Sequence, residues 1–107
     1  MRIIMDLSER GLKRNLYFCA CWAIGGYENA LSDYGENSED GRQAKEWLAD
    51  RRQMVADILY DGTHFLYSEG FEGIPTNNIL SDAYSKYPHA TLVRWVEDAI
   101  NKAMGGR

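Results

Sequence analysis

Two cysteines, two histidines and sixteen side-chain carboxylates are the groups in this chain that could ligate a metal, attack a carbonyl or move a proton. Their spacing rules out most of that chemistry. A structural zinc takes four thiolate or imidazole ligands at tetrahedral corners. Cys19 and Cys21 lie two residues apart, which on a helix turns them about 200° away from each other, so they can neither share a metal nor form an unstrained disulfide. His64 and His89 lack the close pairing of a zinc-binding histidine pair. The stretch Glu36-Asn37-Ser38-Glu39-Asp40-Gly41 begins like a calcium loop. Its twelfth position, where a bidentate glutamate would close the shell, is Trp47.

Nucleophilic chemistry fares no better. A reactive cysteine needs an electropositive, partly open setting and a nearby base. Cys19 and Cys21 are instead surrounded by Tyr17, Phe18, Trp22 and Ile24, which reads as packing. The glycine spacings of hydrolase elbows, phosphate-binding loops and dinucleotide folds are absent from the chain. One acid–base grouping is left: His64 beside Asp61 or Glu69, in a pocket between the second and fourth helices, with no nucleophile. A small enzyme or ligand binder built on it is the rival to the reading reached below. The sequence asks for no cofactor and no metal.

The elements that must position these groups are helices. From Leu12 the apolar residues fall at 12, 16, 19, 20, 23, 24, 27, 30, 31 and 34, the spacing of one helix face, and predict a helix over about 8–34. Asp6 or Ser8 supplies its N-cap, with Glu9 able to reach back if Asp6 is the cap. Gly25-Gly26 weakens the middle of this helix and could mark a hinge, but Cys19, Ala23, Gly26 and Ala30 read better as a smooth strip suited to a closely packed helix or to a second copy of the chain. A second stripe, from Ala44 to Leu66, predicts a helix over 38–68 closed by Gly70. Asp61-Gly62 between β-favouring residues argues for a hairpin instead, but the stripe holds its register across the glycine. A third helix, 77–87, is expected to be capped by Asn77 or Asn78 and stopped by Pro88. The fourth, 89–104, has its stripe at Leu92, Val93, Trp95, Val96, Ala99, Ile100, Ala103 and Met104. Ile3 and Ile4 could form one short strand. The expected fold is therefore mainly α, a four-helix bundle in a single domain over 1–107.

At 107 residues and 45% apolar content, the chain can build one core. Its longest uninterrupted apolar run, Leu16 to Ile24, falls short of the ~20 residues of a membrane span. Asp6 interrupts the N-terminal apolar stretch before it reaches the length of a secretory signal, so a cytoplasmic location is expected.

Charge is the informative pattern. Segments 1–34 and 71–107 are each balanced, whereas residues 35–41 hold three acids and no base, in a chain of net charge −4. With Asp33 this makes four carboxylates in eight residues: Asp33, Glu36, Glu39 and Asp40. Such a loop is either simply solvated, complementing the positive end of the helix that follows, or an anionic knob for an arginine-rich pocket on a partner. Nucleic-acid binding is disfavoured by a pI near 5.1. Among the seven tyrosines, Tyr27, Tyr34, Tyr60, Tyr67, Tyr84 and Tyr87 could include contact hot spots. The expected contact surface is Asp33, Tyr34, Glu36, Glu39 and Asp40, facing a protein with a basic surface.

In size, acidity and simplicity the chain resembles the short single-domain inhibitors that phages and mobile elements direct against host nucleases, among them anti-CRISPR and anti-restriction proteins. Those traits, and no motif, carry the resemblance. It implies a non-enzymatic, stoichiometric inhibitor whose acidic loop blocks a basic pocket, such as arginines that would read a short DNA motif.

Overall fold

The computed structural model describes residues 6–64 and 76–105, with side chains over 6–63 and 80–105. These residues form five helices: α1 (Glu9–Tyr34), α2 (Glu39–Ala49), α3 (Arg51–His64), α4 (Thr76–Tyr84) and α5 (His89–Met104). The mainly helical class expected from the sequence is what the chain adopts. Ile3 and Ile4 lie outside the described residues.

α1 is the spine, with α2, α3 and α5 packed along it and α4 held against α3. Its start settles between the two candidate caps. The Ser8 hydroxyl accepts the Gly11 N–H at 3.2 Å, while the Asp6 carboxylate accepts both the Ser8 N–H at 3.0 Å and the Ser8 hydroxyl at 2.6 Å. Ser8 caps the helix and Asp6 orients Ser8, which holds the Asp6 carboxyl below its ordinary range. Leu12, Leu16, Cys19, Ala20 and Ile24 are buried as the stripe requires. The last turn reaches past the core, leaving Tyr34 61% exposed.

The long second helix is two helices. Asp50 adopts an extended backbone, and its carboxylate accepts the Gln53 N–H at 3.1 Å while its carbonyl accepts the Met54 N–H at 3.0 Å. Asp50 is thus at once the C-cap of α2 and the N-cap of α3, and an aspartate cap satisfies a donor that an uninterrupted helix would leave to its own backbone. The bend lets Trp47 fold back on α3, where its indole N–H donates to Asp57 at 2.8 Å. Tyr27 of α1 stacks on the Trp47 ring at 4.2 Å and 12°.

Beyond the bend, α3 runs straight through Asp61-Gly62, so the hairpin does not form there. Gly62 is where helices press together: a Cβ there would collide with Leu16 Cδ2. The close approach expected at Gly26 is not found, since a Cβ added there would meet nothing within 4 Å. The predicted extension to Ser68 and closure by Gly70 lie outside the described residues.

α4 spans Thr76–Tyr84, so Asn77 and Asn78, expected as caps, lie inside the helix. It ends at Tyr84, three residues before the expected Tyr87, in a turn closed by Tyr87 N–H to Tyr84 carbonyl at 3.0 Å. α5 has the expected bounds. The Pro88 carbonyl accepts the Thr91 and Leu92 N–H groups at its start, and Leu92, Trp95, Val96, Ala99 and Ile100 are buried. Leu80, Ala83 and Tyr84 of α4 complete the same core, together with Met54 and Ile58 of α3.

Candidate functional site

The acidic segment occupies the turn between α1 and α2, and its shape follows from three small residues. Gly35 has φ +76°, a conformation that side chains resist, and there the chain reverses while the Gly35 N–H still bonds to the Leu31 carbonyl at 2.9 Å. The Ser38 hydroxyl then works twice. It donates to the Gly35 carbonyl at 2.9 Å and accepts the Gly41 N–H at 2.9 Å, joining the end of one helix to the start of the next. Gly41 is buried against the Gly35 carbonyl, where a Cβ would collide.

On this fixed turn Asp33, Tyr34, Glu36, Glu39 and Asp40 are all exposed. Glu39 and Asp40 fall in the first turn of α2, where carboxylates complement the positive end of the helix dipole. Lys45, one helical turn further on, reaches back to Glu36 at 3.2 Å, with both side chains more than half exposed. An exposed pair of this kind holds loosely and is screened by salt. Among the described residues, Glu36 alone of the four carboxylates forms an ion pair, so the turn keeps most of its negative charge.

The other sequence candidates are placed differently. Cys19, Trp22, Ala23 and Asp61 line a shallow hollow of about 120 Å³ between α1 and α3. Burial, and then the nearby Asp61, push the Cys19 thiol up to about 12, so it carries almost no thiolate at neutral pH. Burial, and then Asp57, push the Asp61 carboxyl above its ordinary range. Asp61 and His64 lie one turn apart on α3, but the side chains of His64 and Glu69 are outside the described residues, as is Tyr67. His89 opens α5 at an exposed position. Among the described residues no three His, Cys, Asp or Glu side chains converge as a metal site would require.

The tyrosines divide by burial. Tyr27 stacks on Trp47, Tyr87 meets Trp95 at a tilt, Tyr84 is enclosed in the core, and Tyr34 and Tyr60 are exposed. Sequence reasoning also passed over one assembled surface, a cationic groove between α1 and α5. Its signal was the helical spacing of Arg10, Lys13 and Arg14, whose partner Lys102 is too distant in the chain to be paired with them by inspection.

What the geometry defines is a class, a small mainly helical domain that presents an acidic turn on one end. No described helix is long and apolar enough to cross a membrane. The chain matches no protein-family model, no curated protein and no solved structure.

Proposed function

We propose that this protein is a non-enzymatic binding domain that uses the α1–α2 turn as its contact surface. The supporting observation is the set of hydrogen bonds that ties that turn. One serine hydroxyl and two glycines hold Asp33, Tyr34, Glu36, Glu39 and Asp40 outward on a backbone whose hydrogen bonds are internal. A turn whose backbone is tied before binding has less entropy to lose, and its carboxylates suit arginine forks, with which they form charge-assisted and bidentate bonds. Tyr34 adds a rigid aromatic contact beside them. The fitting partner is a protein with a basic pocket, of the kind that nucleases use to hold nucleic acid, and occupancy by the turn would block that pocket stoichiometrically.

Cross-linking with a carbodiimide, which joins carboxylates to lysines, tests this in a lysate of the source cells. The wild-type chain is expected to yield cross-links from positions 33–40 to a basic protein, and these should fade as salt screens the contact. Combined Glu36→Gln, Glu39→Gln and Asp40→Asn substitution should abolish the capture while circular dichroism stays unchanged. Capture of the same protein by a folded variant would remove the reading.

A further inference from the structure

The first half of α1 runs beside α5, and between them lies an open groove of about 660 Å³. Arg10, Lys13 and Arg14 enter it from α1, and Lys102 enters from α5. Four of the twelve cations of an acidic chain thus line one concavity, which Glu9 and Asp98 also line, while Asp6, just before α1, lies near enough to Arg10 and Arg14 to feel both charges.

The two lysines are held by aromatic rings. Lys13 Nζ lies 5.2 Å from the Trp95 ring centre and Lys102 Nζ lies 4.7 Å from that of Tyr17, both within cation–π range. Lys13 also pairs with Glu9 at 3.2 Å. Trp95 is buried and contacts Tyr87 as well, at 4.7 Å, so its ring is not open for stacking with a ligand. The rings therefore serve as seats for ammonium groups. Arg10 and Arg14 are exposed, one helical turn apart on the same face, and neither forms an ion pair among the described residues. Their guanidinium forks match tetrahedral oxyanions in a way that a point charge does not.

We propose that this groove binds a small phosphorylated molecule carrying at least two phosphoryl groups, with Arg10 and Arg14 gripping the anion and Lys13 and Lys102 neutralising it. The volume lies within the range of small-ligand sites. The cations come from two helices, three of them from successive positions along one face of α1, which suits several phosphoryl groups better than one. Recognition is by charge, because the aromatic faces are taken. Asp98 lies in the same groove and opposes the ligand, so its removal has a defined sign. The site is separate from the acidic turn and does not depend on that reading.

Titration calorimetry at low salt with sodium tripolyphosphate tests the proposal, with propane-1,2,3-tricarboxylate and a short DNA duplex as comparison ligands. Saturable 1:1 binding of tripolyphosphate is expected. Combined Arg10→Gln and Arg14→Gln should weaken it by about tenfold or more, the loss of charge-assisted bonds. Combined Arg42→Gln and Arg52→Gln, exposed positions elsewhere with the same change in net charge, should shift it by no more than about twofold, as distant exposed charges are screened. Asp98→Asn should tighten it. Absence of saturable binding, equal weakening by the two arginine pairs, or weaker binding after Asp98→Asn would overturn the site. Tighter binding of the tricarboxylate or of the duplex would overturn the phosphorylated small-molecule assignment.

Discussion

The amide of Asn15 on α1 donates to the hydroxyl of Tyr84 on α4 at 3.0 Å, joining residues 69 apart in the chain. The same amide donates to the Gly62 carbonyl of α3 at 2.8 Å, and the Tyr84 hydroxyl donates in turn to the Leu12 carbonyl at 2.8 Å. Three helices are thus pinned by one polar cluster inside an apolar core, where an unpaired polar group would be costly. Burial pushes the Tyr84 phenol well above its ordinary value, with Asn15 pulling the other way, so it remains a neutral donor.

Replacing Tyr84 with Phe removes the donor to the Leu12 carbonyl and one of the two acceptors of the Asn15 amide, which keeps its bond to Gly62. A loss of roughly 1–3 kcal/mol is expected from urea denaturation, with the slope of the transition unchanged. Because Asn15→Ala disrupts the same cluster, the double variant should lose less than the two single losses combined, by roughly 0.5–3 kcal/mol. Strict additivity would show that the cluster does not act as a unit.

Two glycines on helices should respond oppositely to alanine. At Gly26 the space beside the backbone is open, so Gly26→Ala should stabilise by up to about 1 kcal/mol through helix propensity alone. At Gly62 the new methyl meets the fully buried Leu16, and overpacking of this kind costs roughly 1–3 kcal/mol. Thermal melts of the two variants should therefore diverge, with Gly62→Ala the lower; equal melting temperatures would contradict the α1–α3 packing.

Asp61 predicts a pH dependence of definite sign. Burial and Asp57 raise its carboxyl above the ordinary 3.8, so the folded state favours the protonated form. Its contribution to stability is fully present below the unfolded value and is lost as pH rises through the higher folded one. Asp61→Asn removes that loss. The variant should exceed the wild type in melting temperature at pH 7, and the gap should close as pH falls below about 3.8, the value in the unfolded chain. A gap that stays constant with pH would mean that Asp61 is not penalised by its surroundings.

Where local rules act alone, the chain could be read directly. The Asp6/Ser8 capping pair and the three-and-four spacing from Leu12 mark α1, and Pro88 with the Leu92–Ile100 stripe marks α5; both helices have their expected bounds to within a residue. The acidic turn was legible for the same reason, since its charges are contiguous and the capping serine lies among them. The Asp50 break was half legible. Asp50 followed by Gln53 is a capping pattern, but the apolar stripe continues across it, and only the contact of Trp47 with Asp57 shows why the helix must bend.

The sequence by itself determined the helical class, the core faces of α1 and α5 and the concentration of negative charge at residues 33–40, because each depends on neighbours within a turn or two. Tertiary structure alone decided the Asn15–Tyr84 cluster, the tight contact at Gly62 rather than Gly26, and the cationic groove. Lys13 and Lys102 share that groove because two helices distant in the chain bury their apolar stripes side by side. Periodicity states which face of a helix is apolar, but it does not state which other helix will cover it.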